Sequence, residues 1–160
     1  MNNNISDIAK LSISIVVCQL MGFVGAFFTT PAINGWYQTI NKPIFTPPNW
    51  LFAPVWTTLF LLMGVSFFLI WRGKSKNGEK KVAVIVFGIQ FLFNILWSIV
   101  FFSLHSLLGG LIEIFVLWLM IWLTIITFCR VSRLAAYLLI PYVVWVTVAM
   151  ILNFSIWLIN

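Results

Sequence analysis

Two apolar stretches carry hydrogen-bonding and aromatic side chains at helical intervals. Gln90, Asn94, Trp97 and Phe101 recur at steps of four, three and four, and Tyr142, Trp145, Ala149 and Asn153 at three, four and four. Such steps place each set on one face of a helix. Polar groups in hydrocarbon turn inward, so both stripes are expected to face the interior of a bundle. Joined by Trp56, they would line an aromatic pocket with a few polar groups, the usual make-up of a small-molecule site. The same spacing serves equally well for amides that bond helix to helix and indoles that merely pack. Ala149, among large neighbours, fits either a close helix contact or space for a ligand.

Other chemistry-bearing residues are sparse. Glu113 is the single acid within an apolar run, and such groups are functional candidates by default, although interfacial placement or protonation would make it structural. His105 is the only histidine and falls in a tight turn, so it reads as an exposed turn residue. It cannot by itself build a metal site of three or four protein ligands. Cys18 and Cys129 form no CxxC pair and lie in or beside apolar runs, which argues against disulfide or metal roles. No nucleophile–base set, paired acids or phosphate-binding loop is present, so hydrolytic and phosphoryl chemistry have nothing to run on.

The elements that must position these residues are apolar. The chain of 160 residues is 62% hydrophobic and 8% charged, with mean hydropathy +1.10, whereas soluble domains carry about 25% charged residues. This predicts an all-α integral membrane protein of one domain, and it leaves no hydrophilic unit to bind nucleic acid. Five runs approach the roughly 20 residues a spanning helix requires: about 8–28, 50–71, 82–104, 107–129 and 134–158. The first is expected to be a retained helix and to stop at Thr29-Thr30-Pro31. Pro141 is expected to kink the last or begin its regular part. Ser103 to Ser106 is so short that the flanking helices must be antiparallel neighbours. From Trp36 into the start of the second run, Pro43, Pro47, Pro48 and Pro54 fix φ and remove amide donors, giving a stiff strap over the mouth of the bundle.

Charge sets the expected orientation. With five spans, Lys10, Arg72, Lys74, Lys76, Lys80, Lys81, Arg130 and Arg133 share one side and Lys42 alone the other. Positive residues favour the cytoplasm. The N-terminus is therefore expected inside a bacterial plasma membrane, with the strap and C-terminus outside. Gly22 and Ala26 form a small-xxx-small pair, a weak dimer signal.

Three blocks, in order, resemble a known family. Trp36-Tyr37, Lys42-Pro43, Thr46-Pro47-Pro48, Phe52, Pro54-Val55-Trp56 and Met63-Gly64 are followed by Gln90, Asn94, Trp97-Ser98 and Phe101-Phe102, then by Pro141-Tyr142, Trp145 and Asn153. Over essentially the whole chain this is similar to the translocator protein family, also called tryptophan-rich sensory or TspO/MBR proteins. The resemblance implies a five-helix bundle, usually a homodimer, whose strap caps a ligand pocket. It implies binding of protoporphyrin IX, haem and isoquinoline or benzodiazepine-type ligands, with no required cofactor and no metal site. The positions matching the family's ligand contacts are Tyr37, Pro47, Trp56, Asn94, Trp97, Trp145 and Ala149. Light-dependent oxidative breakdown of protoporphyrin, known for some bacterial members, would fall to Trp56 and Trp145 as redox partners. Porphyrin carboxylates would lie near Lys42 and Tyr37. Tetrapyrrole export, and sensing through the basic 72–81 loop, are the alternatives. Asn153 to Leu158 lacks the Tyr and Arg of the animal members' sterol pattern, which argues against sterol transport.

Overall fold

The computed structural model describes residues 6–74 and 77–160; Lys76, one of the eight cations counted above, lies outside them. Among the described residues, five helices are long and apolar enough to cross a membrane. In chain order the elements are α1 (Asp7–Asn34), the short α2 (Trp36–Thr39), α3 (Asn49–Arg72), α4 (Asn77–Ser98) with a π-helical turn (Ile99–Ser103), α5 (Leu107–Val131), α6 (Arg133–Leu138) and α7 (Ile140–Ile159). α6 and α7 together make the fifth span. Neighbours close a ring: α1 lies against α3 and α4, α5 against α4, α6 and α7, and α3 against α6.

Hydropathy located the spans but not their ends. α1 runs through Pro31 to Asn34 instead of stopping at it; a proline near a helix end removes a single bond from the ladder. α4 begins at Asn77, not Val82, because a polar turn remains helical outside the apolar slab. At its far end the ladder loosens. The Leu104 N–H donates to the Ile99 carbonyl at 2.9 Å and the Ser106 N–H to that of Val100 at 3.2 Å, and His105 takes φ 52° to finish the turn. The expected disturbance at Pro141 is a break at Leu139, whose N–H closes a tight turn onto the Ala136 carbonyl at 3.1 Å.

At the basic end the helices interlock. Gly64 allows α1 to pass so close that a Cβ there would stand 2.8 Å from the Ile15 Cα. The Ser66 hydroxyl, fully buried, donates to the Ala135 carbonyl at 2.7 Å and ties α3 to α6. Phe87 stacks on Phe67 with ring centroids 5.1 Å apart and packs on Phe128 at 5.4 Å. Asp7 draws Arg72 (3.2 Å) and Lys10 (3.6 Å) together, so the start of α1 meets the end of α3.

The strap occupies the opposite end. Its Asn41 N–H donates to the Asn160 side-chain oxygen (2.9 Å) and its carbonyl accepts from the Asn160 amide (3.0 Å), which pins it to the end of α7. The Lys42 ammonium donates to the Tyr37 carbonyl at 2.6 Å and lies 4.9 Å above that residue's ring.

Candidate functional site

The strap half is hollow. Above Gly22 the upper part of α1 leans toward α4, where Gly25 leaves its Cβ position 3.5 Å from the Ser98 hydroxyl. A cavity of about 490 Å³ lies between α1 and α3, with α4 as its back wall. Phe60 floors it, packed on bare backbone: a Cβ on Gly22 would collide with that ring. Trp56, Trp97, Asn94 and Phe102 form the back and side, and Asn34, Asn49 and Trp50 surround the mouth. Ala26, Ala53 and Thr57 line it and are exposed, so it also opens sideways between α1 and α3. No lining residue is charged.

Trp56 stacks on Phe60 at 5.6 Å and tilts against Trp97 at 6.4 Å. Trp97 in turn stacks on Phe101 at 5.7 Å and meets Phe102 edge-on at 5.6 Å. These rings present a continuous aromatic surface, locked by its own packing.

The two stripes divide their labour. The Tyr142 hydroxyl accepts from the Gln90 amide at 2.7 Å and the Asn94 amide at 2.8 Å, all three side chains buried. That is the helix-bonding reading of these amides, and it joins α4 to α7. Asn94 does both, since it also lines the cavity.

Of the seven positions matched to the family's ligand contacts, Trp56, Asn94 and Trp97 line the large cavity. Tyr37 and Ala149 instead line a separate void of about 20 Å³ with Asn153, and Trp97 reaches both spaces. Trp145 stands behind Phe52, 6.1 Å away ring to ring. Pro47 lies half-buried in the strap and in neither lining. Lys42, engaged with Tyr37, does not line the large cavity either. Burial pushes the Tyr37 phenol up to about 12, so it is a neutral group at ordinary pH.

The α1 wall escaped the sequence reading. Gln19, Gly22, Ala26, Thr29 and Ile33 all line the cavity, at steps of three, four, three and four. Gly22 and Ala26, read as a dimer signal, are used inside the protomer. His105 is exposed and stacked on Trp36 at 4.4 Å. Glu113 is buried on α5, with neither oxygen hydrogen-bonded among the described residues. No three His, Cys, Asp or Glu cluster among those residues.

The TspO/MBR family model matches residues 14–158. The chain belongs to the TspO/MBR family. Tryptophan-rich protein TspO of Chlorobaculum tepidum is 42% identical over 154 residues, spanning 96% of this chain and 98% of its own. Protein CrtK of Rhodobacter capsulatus is 39% identical over 155 residues, 96% of this chain and 94% of its own. The translocator protein of Bos taurus is 35% identical over 141 residues, 86% and 82% of the two chains. Family membership and five apolar spans make this a multi-pass membrane protein. The TspO/MBR match covers every element that walls the cavity apart from the first turns of α1.

Proposed function

We propose that this protein binds a tetrapyrrole, protoporphyrin IX or haem, in the cavity between α1, α3 and α4. One observation carries the reading: a space of about 490 Å³ walled by Trp56, Trp97 and Phe60 and free of charged side chains. Small-molecule pockets occupy about 300–1,000 Å³. A flat apolar guest would bury its faces against indole rings, gaining area and stacking. Asn94 offers an amide already oriented by Tyr142. The sideways opening suits a guest arriving through the bilayer. The strap is assigned to the outer face because the basic residues gather at the opposite end.

The lining contains no His, Cys or Met, so it offers haem iron no usual axial ligand. Ring faces and edges must then hold the guest, and haem and protoporphyrin should bind alike. Export would need a second opening. Against it stands the basic half, shut where Ile15 lies on Gly64.

Light-dependent breakdown is a second activity of the same site, favoured by the Trp56 ring on the cavity wall. Light absorbed by the porphyrin, with oxygen as oxidant, would supply the driving force, and Trp56 would be the adjacent redox partner. Trp145 would act from behind Phe52. The experiment is a protoporphyrin titration of purified protein followed by illumination, with Trp56→Phe and Trp145→Phe alongside. Saturable binding and slower bleaching in the variants are expected. Equal bleaching throughout would remove the photochemical part, and absence of saturable binding would remove the tetrapyrrole reading.

A further inference from the structure

Apart from Ser14, the buried polar atoms without a hydrogen-bond partner among the described residues belong to Trp97, Glu113, Trp145 and Asn153. Native interiors leave few such groups, and each calls for a partner. Asn153 is only 2% exposed, yet its amide nitrogen and oxygen are both unpaired. It borders the void of about 20 Å³ shared with Tyr37 and Ala149. A single water needs about 10–15 Å³, so this void suits one water or one small polar group. Gly110, on α5, packs against this corner: a Cβ there would lie 2.8 Å from the Phe101 ring and 3.3 Å from the Asn153 amide nitrogen.

Only a thin partition separates this void from the large cavity. Phe52, Trp97 and Phe102 line both. Trp97 and Phe102 are buried and hold each other edge-on at 5.6 Å. Phe52 is half-buried in the first turn of α3, just beyond Pro47-Pro48, and touches Trp145 edge-on. It is the one member of the partition that is not fully buried.

We propose that Phe52 swings aside to join the two spaces, and that the Asn153 amide then takes a carboxylic-acid or carboxamide group of the guest. This rests on the tetrapyrrole reading and extends it. A primary amide with both ends free offers one donor and one acceptor, the complement of an acid or another amide. No residue lining the void is charged, which favours the neutral acid over a carboxylate. The unpaired N–H of Trp97, whose ring lines both spaces, is a further donor. Without a guest, one water satisfies Asn153.

The test compares protoporphyrin IX, its dimethyl ester and etioporphyrin, which bears alkyl groups only, in lipid nanodiscs. Wild type should prefer the diacid to etioporphyrin about tenfold or more, with the ester between them. Asn153→Leu should erase that preference while leaving etioporphyrin affinity unchanged. Phe52→Ala should speed association of the diacid several-fold. Equal wild-type affinity for all three porphyrins, or a preference that survives Asn153→Leu, overturns the subsite. Unchanged association in Phe52→Ala overturns the partition. Should Asn153→Leu fail to fold, the three-ligand ranking on wild type still decides the subsite. Saturable binding of all three without ranking removes this inference alone, whereas no binding of any removes the tetrapyrrole reading with it.

Discussion

The basic half and the strap half of this bundle draw on the same residue types, yet one is solid and the other hollow. Both place glycines where α1 meets its neighbours. At Gly64 the missing side chain is filled by the backbone of Ile15, so two helices touch. At Gly22 it is filled by the Phe60 ring, and beyond that ring nothing returns to close the gap. Upper α1 approaches α4 at Gly25 instead, and the space opposite α3 stays open. A glycine on a membrane helix thus sets a distance, and what fills the space decides whether it makes a seam or a chamber.

Substitutions can break or sharpen that contrast, the largest effect first. Gly64→Val drives a branched side chain into the Ile15 backbone; it should cost about 3 kcal/mol or more and be read as loss of monodisperse, helical protein in detergent. Tyr142→Phe lies between the halves. It strands the Gln90 and Asn94 amides and should lower stability by about 1–3 kcal/mol, measured as an unfolding midpoint. Trp56→Phe, in the hollow half, should leave that midpoint nearly in place and weaken protoporphyrin binding about three- to tenfold, the scale of one lost aromatic contact. Gly88→Ala meets nothing within 4 Å and should change stability by no more than about 1 kcal/mol, in the stabilising direction. A destabilisation by Gly88→Ala equal to that of Gly64→Val would dissolve the distinction between seam and free surface.

The spans were legible because hydrocarbon demands long apolar runs, and no other part of the fold is so tightly constrained. Their ends were not. Asn77 to Lys81 is helical in spite of its polarity, and the loosened turn at Ile99–Ser103 leaves no mark in periodicity. The stripe on α4 correctly pointed Asn94 and Trp97 inward. The stripe on α7 was equally helical in its spacing, but Phe52 stands in front of Trp145, and a tertiary screen of that kind is invisible to spacing along one helix. The α1 wall was visible as Gln19, Gly22, Ala26, Thr29 and Ile33 on one face. It was missed because small residues on a membrane helix read first as a contact between chains.

The central claim is that the space between α1 and α3 holds the guest. Ala53 lines that space and is itself exposed, so Ala53→Trp adds bulk to the cavity with little to displace in the core. An equilibrium titration of protoporphyrin IX into this variant, with its helical signal and unfolding midpoint matched to wild type, is the most direct measurement. Affinity should fall at least tenfold. Wild-type affinity in a correctly folded variant would place the guest elsewhere and contradict the account.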